Sequence, residues 1–142
     1  RGLNAKKGKS GVSWSFNFTC KSISVLIIVL CYPLFVLADW TEFASSQNGD
    51  RYWYDKSSVQ KIDDSVRLWQ RIRYGKQIST GDWSSLLYLE ILCSKDQVRL
   101  LEWRRFADKN WSQKKGVEKG QFEAFSIPKN TALQKLADIG CK

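Results

Sequence analysis

Cysteine is the first residue type in this chain able to do covalent or metal chemistry. There are four, Cys20, Cys31, Cys93 and Cys141, and there is no histidine. Without histidine, Ser–His and Cys–His nucleophile arrangements are excluded, as are His-based metal sites. Two distant cysteines do not make a zinc site on their own. Asp63 and Asp64 form the one adjacent carboxylate pair. Acid–base work needs two carboxylates in a shared cleft, which adjacency does not supply, so the pair reads as a solvated turn. Gly8-Lys9-Ser10 resembles the end of a phosphate-binding loop. That loop has four residues between its glycines, whereas Gly2 and Gly8 are separated by five, and no strand precedes them. The residues therefore point to no catalytic group, no metal and no cofactor, and the chain reads as a non-enzyme.

The cysteines divide by position. Ser22 to Ala38 is an uncharged apolar run that follows a basic stretch ending at Lys21 and closes on Val36-Leu37-Ala38. A basic start, an apolar middle and a small residue at the end are the three parts of a secretory signal peptide. The reading is a leader over 1–38, cleaved between Ala38 and Asp39, with a domain over 39–142. An uncleaved run would instead anchor the chain in a membrane, since it approaches the lower limit for a span. Cleavage removes Cys20 and Cys31. In an oxidising compartment the remaining pair, Cys93 and Cys141, then has one way to join. The expected location is periplasmic or at the cell surface.

Charge separates the same way. The whole chain carries +9, but five of its 23 basic residues and none of its 14 acidic ones lie in 1–38. The domain is left with about +4, too little to mark a nucleic-acid binder. Lys109, Lys114, Lys115 and Lys119 read as a solvated loop, with contact to an anionic surface as the sharper alternative. The sequon Asn110-Trp111-Ser112 matters only in a host that glycosylates.

The best candidate binding surface is Arg67, Trp69, Arg71 and Arg73, with Trp103 and Arg105 joining it if their strand is a neighbour. Arg and Trp offer cation–π contact and are enriched at interface hot spots. Two readings stay open. The face is either plain solvent surface with Arg stems laid over Trp rings, or a docking face for a second copy or an acidic macromolecule.

The elements that must position these residues are mostly strands. Trp40–Ser46 and Arg51–Asp55 flank an Asn48-Gly49 hairpin signal whose turn residues are expected at positive φ. Asp55–Ile62 reads as a connector with one helical turn. Ser65–Tyr74 alternates, placing Val66, Leu68 and Ile72 on one face and the Arg/Trp set on the other. Ser84–Cys93 is more continuously apolar and reads as a central strand. Val98–Ala107 is a strand of ambiguous faces, Asp108–Gly120 a polar loop, and Gln121–Ile127 a last strand ended by Pro128. A helix follows, capped by Asn130 or Thr131, with Leu133, Leu136, Ala137, Gly140 and Cys141 on one face. The fold class is α+β: an antiparallel sheet of five to six strands, with the helix docked on the Leu87/Leu89/Ile91 face and tied by the disulfide.

The ordered set Asp39-Trp40, Tyr52-Trp53-Tyr54-Asp55 with Lys56-Ser57-Ser58-Val59, Val66-Arg67-Leu68-Trp69, Leu89-Glu90-Ile91-Leu92-Cys93 and Phe125-Ser126-Ile127-Pro128 leading to Cys141 resembles the bacterial surface-adhesin protein E family. The resemblance implies an antiparallel sheet with a disulfide-held C-terminal helix, a periplasmic or surface location, and binding to a host matrix protein or an envelope component. It brings no catalytic motif. Self-association as a homodimer is the structural alternative.

Overall fold

The computed structural model describes residues 37–142 apart from Gln121. The signal-peptide reading, up to Val36, lies outside the described residues. Among the described residues, eight strands form one antiparallel sheet: β1 (Trp40–Ser45), β2 (Arg51–Asp55), β3 (Gln60–Ile62), β4 (Ser65–Arg73), β5 (Ser84–Leu92), β6 (Gln97–Phe106), β7 (Lys114–Lys119) and β8 (Phe125–Ser126). A single helix, α1 (Ala132–Gly140), follows them. The sheet runs β1-β2-β4-β5-β6-β7. β3 shares the β2 edge of β4, and β8 pairs with β6.

β4 and β5 form the centre because their apolar alternation suits a pleated, half-buried surface. Val66, Leu68 and Gln70 point to one face and pair with Ile91, Leu89 and Leu87 of β5. On that face Val66, Leu68, Leu89, Ile91 and Val98 meet Ile127, Leu136 and Ala137 in the core. Thr131 caps α1 by accepting the Gln134 amide, and the Gln134 side chain accepts the Asn130 amide in return. Gly140 lets the last turn lie close to the sheet, since a Cβ there would stand 3.3 Å from Val66 Cγ1. The Cys93–Cys141 disulfide then ties the end of β5 to the residue just past α1, across 48 residues.

Several expectations change. The β1–β2 turn bends on Gly49 alone, at φ +85°, and Asn48 is not left-handed. The Gly49 amide donates to Ser46, and Ser46 pairs with Asp50, so the loop has three residues rather than two. Gly75 lies so close to this turn that a Cβ would fall 2.0 Å from the Asn48 carbonyl oxygen. The connector 55–62 contains a 3₁₀ turn at Lys56–Ser58, and its end pairs with β4 as β3. The Lys-rich stretch is half loop and half edge strand, since Lys114–Lys119 pairs with β6 as β7. Lysines suit that position because they deter pairing with a further strand. The last strand shortens to two residues. Asp63 and Asp64 form the turn between β3 and β4, as expected.

Candidate functional site

On the face away from α1, β4 presents Arg67, Trp69, Arg71 and Arg73. The register puts Trp53 opposite Arg71 and Arg51 opposite Arg73. Trp40 enters from β1, whose first residue pairs with Asp55. Trp111 arrives from the loop between β6 and β7. The guanidinium carbon of Arg71 lies 4.7 Å from the Trp40 ring centroid, 5.0 Å from Trp53 and 4.5 Å from Trp111. Trp53 and Trp111 meet edge to face at 5.7 Å. Arg51 and Arg73 lie over Trp53 as well, and Arg104 covers Trp69, which stacks on Tyr88 at 4.9 Å. Such contacts contribute about 0.5–1 kcal/mol each when exposed and about 2 when desolvated.

Trp111 holds its place through local strain. Its φ of +57° is left-handed, a region that bulky side chains rarely adopt. Asp108 fixes it by accepting the amides of Asn110, Ser112 and Gln113 and the Ser112 hydroxyl. The Gln113 amide, helped by Ser112 and Asn110, holds the Asp108 carboxyl below its ordinary pKa. The Trp111 indole donates to the Ser85 carbonyl at 3.2 Å.

Ion pairs decide which cations remain available. Glu42 pairs with Arg51. Glu90 takes both Arg67 at 2.8 Å and Arg99 at 3.1 Å. Glu102 takes Arg104 and Lys119. Arg71 and Arg73 have no carboxylate within 4 Å among the described residues, and the Arg71 Nε is buried without a hydrogen-bond partner. Burial, and then the Arg73 charge, push the Arg71 pKa down, but a guanidinium stays charged. The centre of this face is an aromatic-walled patch with two arginines outside any ion pair among the described residues.

The sequence reading let Trp103 and Arg105 join this face if their strand was a neighbour; β5 lies between β4 and β6, and the register turns both residues away. Leu100 pairs with Leu89 and Glu102 with Tyr88, so Leu101 is an extra, bulged residue. One inserted residue reverses the alternation. Trp103 and Arg105 therefore turn to the α1 side, where the Trp103 indole donates to Ser85 Oγ at 3.0 Å. Glu102 and Arg104 take their places on the Arg/Trp face. Sequence reading also missed Trp40, Arg51, Trp53 and Trp111 as members. The hairpin register carries a signal for Trp53, because β2 must lie beside a second strand. For Trp111 the only local signal is Asp108 ahead of a polar turn.

The α1 side has a second concavity, an apolar groove of about 340 Å³ between β4–β6 and the start of α1, lined by Ile72, Leu87, Leu100, Phe125 and Leu133. Gln70 lines it and is 3% exposed. Among the described residues there is no group of three His, Cys, Asp or Glu side chains able to hold a metal, and no helix long and apolar enough to cross a membrane.

Two carboxylates brace β6 and β7. Burial works against the charge on Asp82, but hydrogen bonds from Thr80 and Lys115 outweigh it and lower its pKa. Burial likewise opposes Glu102, and Arg104 and Lys119 overcome it. Groups lowered on folding contribute stability above their unfolded pKa values, about 4, and lose it as pH falls through the folded ones. Melting temperature should therefore be flat between pH 7 and 5 and drop below about pH 4. A melting temperature that holds or rises from pH 5 to pH 3 would contradict this.

Residues 40–142 match the family model described as surface-adhesin protein E. Three solved structures of Haemophilus influenzae protein E share the fold. Crystal form II is 16% identical, with a TM-score of 0.56, over 77% of this chain and 91% of that one. A further protein E structure is 16% identical, with a TM-score of 0.55, over 77% and 88%. Protein E from the non-typeable organism is 16% identical, with a TM-score of 0.53, over 77% and 79%. Comparison with curated proteins gives no match.

Proposed function

Because the chain belongs to the surface-adhesin protein E family, we propose that it is an exported, non-enzymatic, adhesin-like binding protein that meets its partner with the Arg71-centred face. The carrying observation is the guanidinium held among Trp40, Trp53 and Trp111 with no carboxylate partner. Every glutamate of β1, β5 and β6 on that face is engaged elsewhere, so Arg71 and Arg73 are the charges left for a ligand. Fixed aromatic walls lose little side-chain entropy on binding, and exclusion of water strengthens a cation's contacts. The partner class is a host matrix protein or an envelope component presenting acidic groups. The location is the periplasm or the cell surface, and a leader left uncleaved would serve as an anchor.

The test is binding of the exported protein to immobilised laminin, vitronectin and heparin at low and high salt. Arg71→Ala and Arg73→Ala are expected to weaken saturable binding at least tenfold, about 1.4 kcal/mol each. Phe125→Ala, on the opposite face, should leave it unchanged. Binding to heparin alone, lost in salt, would reduce the face to a polyanion patch. Indifference to both arginine substitutions would remove the face from the function. Sedimentation of the same samples separates partner binding from self-association: a dimer dissociated by Arg71→Ala would assign the face to a second copy.

A further inference from the structure

Asp55, at the end of β2, is a buried carboxylate with no part in the Arg71 face, and it is 7% exposed. Its Oδ1 accepts the Ser57 amide at 3.0 Å, the Ser57 hydroxyl at 2.6 Å and the Asp39 backbone nitrogen at 2.9 Å. No lysine or arginine reaches it within 4 Å among the described residues. A buried carboxylate usually has a cationic partner, since an uncompensated charge away from water is costly.

The nitrogen already touching Asp55 belongs to the residue that follows the expected cleavage point. Leu37, Ala38 and Asp39 are exposed and outside any strand, and β1 begins at Trp40. The Ala38–Asp39 peptide bond therefore lies at the exposed edge of the sheet, with its N–H on Asp55. The Asp39 carbonyl accepts the Lys56 amide at 3.0 Å, which fixes the residue from its other side.

Resting on the reading of the chain as exported, we propose that a signal peptidase cleaves between Ala38 and Asp39 and that the α-ammonium so released is the missing partner of Asp55. Water adds across the amide bond. The C–N bond breaks, the water oxygen stays with Ala38, which leaves as a carboxylate on the leader, and both water hydrogens pass as protons to the Asp39 nitrogen, giving the ammonium. A neutral amide donor then becomes a cation in the same place, converting the 2.9 Å contact from a charge–dipole bond into an ion pair. The next residue, Trp40, is a wall of the Arg71 patch. Removal of the leader thereby strengthens the hold on the first strand, whose first residue already packs on Arg71.

The test exports the full chain and three variants from a bacterial host: Asp55→Asn, one glycine inserted between Ala38 and Asp39, and both changes together. The asparagine side chain keeps an acceptor for the Ser57 amide, so the turn after β2 survives. Intact mass of the wild-type product should begin at Asp39. The glycine moves the ammonium away from Asp55 and should lower the melting temperature by about 4–8 °C where Asp55 is present. In the Asp55→Asn background it should lower it by much less. A product beginning elsewhere overturns the assigned cleavage point. A product that keeps the leader overturns the cleavage reading as well. Equal shifts in the two backgrounds, or no shift in either, overturn the pairing while leaving export and the Arg71 face untouched.

Discussion

Replacing Cys93 and Cys141 together by alanine is expected to lower stability by about 2–5 kcal/mol, and full reduction should do the same. The bond closes a loop of 48 residues, for which chain entropy alone gives about 4 kcal/mol. A domain of this size has about 5–15 kcal/mol in total, so the loss takes a large share. The melting temperature should fall by roughly 15 °C or more in reductant. Loss should also be uneven. Helix α1 is nine residues long and too short to persist alone. It is held by Leu136, Ala137 and the bond at its end. Hydrogen exchange should therefore show α1 losing protection before β4 and β5. An unchanged melting temperature with and without reductant would show that the helix docks without the tether.

Leu68→Ala should cost about 3–5 kcal/mol, measured by urea unfolding. Leu68 is 0% exposed, pairs with Leu89 across β4–β5 and lies beneath the last turn of α1. The strands around it are fixed by their ladders, so the space left by the lost methyl groups cannot close easily. Ile72 lies on the same strand and the same face, four residues further on. It borders the open groove rather than the core, so Ile72→Ala should cost less than half as much. Helix length explains the contrast. Nine helical residues span about 14 Å, while the nine-residue strands beneath span about 30 Å, so one end of the face stays uncovered. Equal losses at the two positions would mean that the groove is as well packed as the core.

Much of this was legible because it is local or nearly so. The alternation of Val66, Leu68 and Ile72 against Arg67, Trp69, Arg71 and Arg73 follows from a period of two, and the structure keeps the faces, with Val66 and Leu68 buried and Ile72 half-buried. The helical spacing from Leu133 to Gly140 and the capping Thr131 hold for the same reason. The Cys93–Cys141 bond followed from counting the cysteines left after the leader is set aside. The strand count fell short because β3 and β7 are short edge segments. Their pairing depends on a neighbour's backbone, and their polar residues give no alternating signal.

Sequence alone determined the topological class, the disulfide, the docked helix and the arginine–tryptophan character of one face, since each depends on residue type and short-range period. Tertiary structure decided which residues share that face. The bulge at Leu101 moved Trp103 and Arg105 to the other side, and nothing in Leu100-Leu101 marks it, because both residues are apolar and the extra residue is defined only against β5. Tertiary structure also placed Trp111 over Arg71 from 40 positions away and, among the described residues, left Arg71 outside every ion pair. Composition records how many charges a chain has, but the pairing of charges depends on distances that only the packed sheet sets.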